Sequence, residues 1–529
     1  MSAAPRAVGA RAGMGAEERR RLAADAARTA NWKRWGPYLA ERQWATVRED
    51  YSPSGDSWRS FPHDHARSRA YRWGEDGLLG WTDRECRLCF ALALWNGRDP
   101  FLKERLFGLT GMGPGGSQGN HGEDVKEEYV YLDSTPTHAY ARARYLYPQA
   151  AFPYERLVEE SLRRGVGQPE FELADTGVFA EDRYFEVEVE YAKAGPDDIF
   201  IRLTARNRGP DPAPIHLLPT LWFRNTWSWG CRHEGCTLKP RIERAGADRF
   251  AFRHETLGAG SFLFESGPDG GPPPTLFTEN ETNFERLFGA PNAAPYVKDA
   301  FHRFVVNGET RAVNPAGRGT KAAPWYRRTA LPGERIQWRF RLSAGDRSRA
   351  ALALRDADAV IARRRREADD FFASAIPAAF SGEERQIARQ AYAGLLWNKQ
   401  FFHYIVPDWL EGDPSAPAPR PERLRGRNAG WRHFYARDVL SVPDKWEYPW
   451  FAAWDTAFHM IPLARIDPDF ARDQMVRLLR EWYMHPNGQI PAYEFEFGDV
   501  NPPVHACLLY TSDAADDLLC VDLGGRRII

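Results

Sequence analysis

The sequence has 529 residues, a formal net charge of −1, 43% hydrophobic residues and 27% charged residues. At roughly 150 residues per domain this length predicts several domains, and the composition is that of a soluble globular protein. The near-neutral charge provides no basic surface for phosphates, so nucleic acid is not an expected partner. No run of 18 apolar residues predicts a membrane span, and no secretory signal is evident, so the cytoplasm is the expected location.

The first part of the chain is rich in strand patterns. Residues 1–30 form a predicted disordered or helical lead-in, with charged helical character continuing to about residue 50. From 31 to 351 short apolar or alternating runs recur between Gly- and Pro-containing turns, and YFEVEVEYA at 184–192 alternates apolar and acidic residues. This pattern predicts a large β-sandwich domain.

The pattern becomes helical after residue 351. Residues 352–380 predict a charged linker helix, and Ser381 with Glu384 forms a capping-box signature at the start of the next helix. Two further amphipathic stretches cover 453–466 and 467–485, and a Pro-rich loop is predicted at 408–430. Together they predict part of a helical toroid over 381–506.

The last residues do not continue this pattern. Segment 507–529 begins CLLYTSDAADD, which is similar to one reading frame of an adapter used in sequencing libraries. We therefore expect 507–529 to be a non-native tail, the toroid to be cut short near residue 506, and Met14 to be an alternative start.

Cysteines and histidines offer little support for a metal site. The Cys86–Cys89 and Cys231–Cys236 pairs lack a second pair at matching spacing, so we expect buried thiols in place of zinc. The stretch His63–His65 is expected at a domain interface or a substrate loop. Neither a metal nor a cofactor is predicted.

The densest group of aromatic and acidic residues lies at 438–464, around Asp455. A carboxylate can accept two charge-assisted hydrogen bonds from sugar hydroxyls, and aromatic faces can stack on the apolar faces of sugar rings. The alternative is a helix N-terminal Asp that serves only the helix dipole. The 19 Trp of the chain fit either carbohydrate binding or a sheet-rich core.

Several separated motifs resemble one family of enzymes. The stretch Trp454-Asp455-Thr456-Ala457-Phe458-His459 is followed by a G-x-I-P turn at 488–491 and by N-P-P at 501–503. In this order they resemble glycoside hydrolase family 63, and residues 119–140 resemble the N-terminal domain of its bacterial members. The resemblance covers roughly residues 30–506.

The resemblance implies a β-sandwich packed on an (α/α)6 barrel and an inverting hydrolysis of an α-linked glucoside or mannoside without a cofactor. It implies a substrate site formed by Asp455, Trp454, Tyr448, Phe458 and His459. The general acid and base are expected beyond residue 506, with Asp455 as the acid being the alternative. The 529-residue chain is accordingly expected to be inactive.

Two other functions stay open at this point. The chain could belong to a non-catalytic carbohydrate-binding or structural module, or to a phosphorolytic enzyme with the same sandwich-plus-barrel architecture. An oligosaccharide or small glycoside is the expected partner, without nucleic acid or membrane. The expected source is bacterial, and the oligomeric state is not predicted.

Overall fold

The computed structural model describes residues 15–43, 49, 52, 62–109, 124–165, 167–231, 233, 235–267, 270–345, 353–413, 418–502, 504 and 505. The predicted tail at 507–529 and the first fourteen residues lie outside this part of the chain. The strands are β1 Trp35–Gly36, β2 Leu78–Asp83, β3 Leu88–Trp95, β4 Gly108–Leu109, β5 Asp124–Val125, β6 Glu128–Ser134, β7 Tyr140–Pro148, β8 Tyr184–Gly195, β9 Asp198–Asn207, β10 Ala213–Phe223, β11 Arg241–Arg244, β12 Arg249–His254, β13 Gly258–Phe264, β14 Thr275–Thr278, β15 Arg318–Gly319, β16 Lys321–Pro324, β17 Tyr326–Ala330, β18 Arg335–Ala344, β19 Lys399–Ile405 and β20 Tyr435–Ser441.

Most of these strands form two large antiparallel sheets. The seven-stranded sheet has the order β1-β2-β3-β10-β16-β14, with β17 also paired to β10. The nine-stranded sheet has the order β15-β11-β12-β13-β18-β9-β8-β7-β6. Their inner faces share one hydrophobic core, as the ring pairs Trp81–Tyr191 (4.3 Å) and Phe90–Phe262 (5.6 Å) show across the two sheets. The predicted β-sandwich is therefore present.

Strand β8 shows how the alternating sequence builds this core. Phe185, Val187 and Val189 are buried between the sheets. Glu188 and Glu190 point to the other face, where Arg142 and Arg202 pair with them. Since side chains alternate along a strand, this sequence can bury its apolar set in one register only.

The helices are Ala16–Ala26, His63–Ala66, Tyr154–Arg163, Phe284–Phe288, Ala300–Val305, Ala357–Ala375, Gly382–Trp397, Val406–Glu411, Ala453–Ala464 and Pro468–Leu478. The predicted linker helix is Ala357–Ala375, which packs on the nine-stranded sheet through Arg364, whose Nε donates to the Lys193 carbonyl (2.6 Å). The capping box is confirmed, since Ser381 Oγ accepts from the Glu384 amide and the Glu384 carboxylate accepts from the Ser381 amide.

Three local predictions were wrong, and one pair of strands was missed. The lead-in helix ends at Ala26, well before residue 50. The second helix of the C-terminal stretch ends at Leu478, so residue 482 is not on it. The predicted loop at 408–430 begins inside the helix Val406–Glu411. The antiparallel pair β19–β20 was not predicted at all. Its β19 is buried along its whole length, so it lacks the alternation that marks a half-buried strand.

One helix after residue 381, Gly382–Trp397, packs against the sandwich, and a closed toroid stays a prediction. Helix Gly382–Trp397 lies on β6, and helices Ala453–Ala464 and Pro468–Leu478 pack on each other. The domain boundaries at 351 and 380 likewise stay predictions. In the described ranges no helix has the length and apolar character needed to cross a membrane.

Of the four cysteines in the two pairs, Cys86, Cys89 and Cys236 are buried, as predicted, whereas Cys231 is only partly buried. Cys86 and Cys89 are buried and free, with their Sγ atoms 3.8 Å apart. His63 stacks on Tyr154 at 5.3 Å between ring centroids. Within the part of the chain that the structure describes, no cluster of three or more His, Cys, Asp or Glu side chains could hold a metal ion.

Candidate functional site

Helix Ala453–Ala464 is held at its first turn by two neighbouring segments. The Ala453 amide donates to the Ala492 carbonyl (2.8 Å). Thr456 Oγ1 donates to the Ser441 carbonyl at the end of β20 (2.8 Å). Because both contacts fix the N-terminal end of the helix, the side chains of its first turn have defined positions.

Asp455 lies in that first turn and is partly buried. Burial raises the pKa of its carboxyl above the usual 3.8, although a hydrogen bond from its own backbone amide acts in the opposite direction. No other hydrogen-bond or ionic partner reaches this carboxylate from the described residues. A partly desolvated carboxylate without a protein partner gains most from a ligand that donates hydrogen bonds.

An exposed apolar stripe runs along the same helix beside Asp455. Trp454, Phe458 and Ile461 follow the i, i+4, i+7 spacing and are 46%, 47% and 41% exposed. The Trp454 and Phe458 rings are 6.2 Å apart. The structure thus brings Trp454, Asp455 and Phe458 together at one surface, as a sugar platform requires, and the same stripe also suits contact with another helix.

Tyr448 belongs to the loop that leads into this helix. It is 37% exposed, and its ring lies 5.0 Å from Trp450, which in turn lies 5.3 Å from Phe495. Tyr448, Trp450 and Phe495 thus form a second aromatic group. The ring contacts described for it do not include Trp454 or Phe458.

Asp444 anchors the Tyr448 loop, and sequence reasoning missed it. Its Oδ1 accepts from the amides of Trp446 (2.9 Å), Glu447 (2.6 Å) and Tyr448 (3.0 Å). A Pro-Asp dipeptide ahead of an aromatic run is the signal that could have revealed this turn, since Asp side chains bond to amides a few residues ahead.

Replacing Asp444 by alanine is expected to destabilise the chain by about 1–3 kcal/mol, because three partly buried amides lose their acceptor. Asp444→Asn retains an oxygen acceptor and should cost less. Urea unfolding of both variants measures the difference. Equal losses for the two would show that Asp444 does not act through its oxygen atoms.

His459 points towards the protein interior. Its Nδ1 lies 2.9 Å from Ser441 Oγ, and burial lowers its pKa to about 4. The imidazole is therefore neutral at neutral pH, so any role in substrate binding is that of an uncharged hydrogen-bonding group.

Glu494 is a second buried carboxylate near the helix N-terminus, and the sequence assigned it no role. It is 3% exposed, and its backbone pairs with Phe451 just before the helix (2.9 Å). Arg427 and Asn428 donate to its carbonyl at 2.8 and 2.7 Å. Glu494 thus ties the 490s segment to the site, which only the tertiary contacts reveal.

Comparison with known proteins gives one clear sequence relative. No family model matches the chain. An uncharacterized protein of Saccharomyces cerevisiae is 46% identical over an alignment covering 90% of this chain and 47% of the relative. The chain thus spans about half the length of the curated relative it matches. The expected bacterial source gains no support, since this relative is a yeast protein.

Among solved structures, the chain shows weak likeness to carbohydrate-active enzymes. A putative kojibiose phosphorylase from the human microbiome matches with a TM-score of 0.23 and 8% identity, over 88% of this chain and 53% of that one. A polysaccharide lyase matches with a TM-score of 0.22 and 9% identity, over 50% and 27%. A galactose mutarotase related enzyme from Lactobacillus acidophilus matches with a TM-score of 0.18 and 8% identity, over 49% and 88%. Scores this low transfer neither a fold nor an activity, and family 63 is not confirmed.

Proposed function

We propose that the chain binds the terminal sugar of an α-linked glucoside or mannoside at Asp455, and that the whole protein hydrolyses this linkage with inversion. The observation that carries the proposal is the Asp455 carboxylate, which is partly buried and, among the residues that the structure describes, has no partner beyond its own amide. It stands beside the exposed rings of Trp454 and Phe458. The carboxylate can accept hydrogen bonds from the hydroxyl groups of a sugar ring. The aromatic rings beside it can cover the apolar face of the same sugar.

Each of these groups has a separate task in the proposal. The Asp455 carboxylate accepts hydrogen bonds from two neighbouring sugar hydroxyls. Trp454 covers the apolar face of the ring, and the loop held by Asp444 brings Tyr448 to the rim of the site. His459 is neutral and is held by its hydrogen bond to Ser441. It supports the helix from its inner face, opposite the sugar.

Bond cleavage with inversion needs two further carboxyl groups about 6.5–9.5 Å apart. The proposal assigns this general acid and base to a part of the whole protein beyond residue 506, as the resemblance to family 63 implies. The chain alone should then bind sugar without turnover.

The main test is the anomeric configuration of the first product. The whole protein is incubated with an α-glucoside or α-mannoside, and NMR follows the anomeric proton before mutarotation. The inverted anomer, released without a phosphate requirement, is expected. Retention would exclude the inverting mechanism, and dependence on phosphate would favour a phosphorolytic enzyme.

The pH dependence of binding separates two roles for Asp455. As a sugar-binding group it acts in the ionised form, so affinity should be constant near neutral pH. Affinity should then fall as the pH drops through the raised pKa of Asp455, which lies above 3.8. As a general acid it would need the protonated form, and the rate would rise over the same range. Calorimetric titration of the chain with glucose or mannose at several pH values measures the affinity, and turnover of an α-glucoside by the whole protein at the same pH values measures the rate.

Replacing Trp454 by alanine should weaken sugar binding by about fivefold, since a stacked aromatic contact contributes on the order of 1 kcal/mol. The matched control is Trp482→Ala, which removes an indole that is also 40% exposed but lies outside the helix. Unchanged affinity in Trp454→Ala would indicate that the exposed stripe serves helix packing.

A further inference from the structure

Two free cysteines face each other in the loop between β10 and β11. The Cys231 thiol donates a hydrogen bond to the Cys236 sulfur, and both residues are free thiols. The backbone between them supports this contact. The His233 amide donates to the Cys231 sulfur, and the Cys236 amide donates to the His233 carbonyl at 3.1 Å. The two sulfur atoms are therefore held in contact before any bond joins them.

Positive charge surrounds Cys236. The Arg87 guanidinium packs so closely on Gly235, the preceding residue, that a Cβ there would lie 2.5 Å from Arg87 Nη1. The Arg224 amide donates to the Arg87 carbonyl at 3.0 Å, which keeps the two arginines together. The charges of Arg224, Arg437 and Arg87 all act on the Cys236 sulfur. Such a setting favours the thiolate, which is the nucleophilic form of cysteine.

The ionisation of Cys236 agrees with this geometry. Its pKa is lowered to about 6, first by the hydrogen bond from Cys231 and then by the three arginines, which together outweigh the opposing effect of burial. The pKa of Cys231 is raised, because its proton is held by the Cys236 sulfur. At neutral pH the pair thus combines one thiolate with one thiol.

The other cysteine pair provides a contrast within the same chain. Cys86 and Cys89 also have neighbouring sulfur atoms, 3.8 Å apart, but they are only 1% and 0% exposed. Burial raises the pKa of Cys89, so this pair stays protonated and shielded. Cys236 is 5% exposed and Cys231 is partly exposed, which gives a small oxidant access to one pair and not to the other.

We propose that Cys231 and Cys236 form a reversible disulfide when a peroxide oxidises Cys236. The Cys236 thiolate attacks one oxygen of hydrogen peroxide, the O–O bond breaks, and hydroxide leaves a sulfenic acid on Cys236. The Cys231 sulfur then attacks the Cys236 sulfur, the S–O bond breaks, and the oxygen leaves as water with the Cys231 proton. Two electrons pass from the two thiols to the peroxide, and a thiol reductant reverses the change.

The disulfide forms where the sandwich meets the C-terminal part of the chain. His233, between the two cysteines, has its Nδ1 3.3 Å from the Tyr435 hydroxyl at the start of β20. Its Nε2 lies 3.8 Å from Asp408 Oδ2 in the helix Val406–Glu411. Bond formation therefore modifies a loop that contacts both elements. The proposal does not rest on the sugar site at Asp455.

The test is a map of thiol oxidation on the whole chain. Cys507→Ser and Cys520→Ser first remove the two cysteines outside the described residues. The protein is treated with hydrogen peroxide at neutral pH, unfolded, blocked with N-ethylmaleimide, digested and analysed by mass spectrometry. Cys231 and Cys236 should appear disulfide-linked and without maleimide, whereas Cys86 and Cys89 should each carry one. Dithiothreitol should restore both thiols of the oxidised pair.

Single substitutions test the role of each sulfur. Cys231→Ser should leave a sulfenic acid on Cys236 that dimedone traps. Cys236→Ser should slow oxidation of Cys231 at least about tenfold, since the remaining thiol has lost the thiolate partner. The map of the unaltered pair is read independently of these variants. The proposal is overturned if neither thiol reacts, if Cys86 and Cys89 oxidise as fast, if Cys236 becomes a sulfinic acid while Cys231 stays free, or if Cys231 reacts equally fast in Cys236→Ser.

Discussion

Asparagine in place of Asp455 is expected to weaken binding of glucose or mannose by about 10- to 100-fold. Hydrogen bonds to a charged group contribute about 1.5–3 kcal/mol, and each 1.4 kcal/mol corresponds to roughly a factor of ten in affinity. The amide keeps the shape of the side chain but loses the charge that strengthens both bonds. Calorimetric titration of the chain measures the difference.

The same substitution should not reduce stability at neutral pH. Burial raises the pKa of Asp455 in the folded chain, so the ionised form is disfavoured by folding at pH values above this pKa. This unfavourable contribution is present at neutral pH and diminishes as the pH falls towards protonation. Asp455→Asn removes it, and the melting temperature should stay equal or rise slightly.

A matched control is Asp469→Asn, since Asp469 also lies in the first turn of a helix and is 43% exposed in its pair with Arg472. It should leave sugar affinity unchanged. Loss of affinity in both variants, or a lower melting temperature in Asp455→Asn, would assign Asp455 to helix stabilisation.

Alanine in place of Trp397 should destabilise the chain by about 3–5 kcal/mol, the usual cost of removing a buried Trp. Trp397 ends the helix Gly382–Trp397 and is fully buried. Its ring stacks on Tyr131 of β6 at 4.9 Å, and its indole donates to the Asp133 carbonyl at 3.0 Å. The substitution therefore opens a cavity where the helices meet the sandwich and leaves a carbonyl without its donor.

Urea unfolding checks this prediction against Trp482→Ala, which removes an indole that is 40% exposed and should change stability by less than about 0.5 kcal/mol. Similar small losses in both variants would mean that the helices and the sandwich are energetically independent. An unfolding curve that becomes biphasic in Trp397→Ala would show that the two parts are coupled mainly through this residue.

The sandwich could be predicted because the pattern that indicates its strands is formed by residues close together in the sequence. Val187 and Val189 alternate with Glu188 and Glu190, and period-two alternation predicts a strand with one buried face. The capping box of Ser381 and Glu384 is equally local. Strand β19 could not be predicted, because a strand buried on both faces lacks this alternation and is confused with a helix segment.

The residues of the candidate site also fall into two groups, those that the sequence could indicate and those that only the structure revealed. Asp455 and its aromatic neighbours stand within one helical turn, so the sequence alone indicated them. The roles of Asp444 and Glu494 emerged from the structure, since they depend on which amides and carbonyls the folded chain brings to them. The bond from Ser441 to His459 likewise joins residues eighteen positions apart.

The sequence by itself determined the alternating strands of the sandwich, the helix starts and the concentration of aromatic residues around Asp455, because these depend on neighbours along the chain. Tertiary structure alone decided that Trp454 and Phe458 remain exposed and that His459 is turned inward. It alone also assembled Glu75, Asn280 and Lys298 around one recess. Glu75 is about two hundred positions from Asn280 and Lys298 in the sequence, and only the pairing of distant strands, driven by burial of the common core, brings them together.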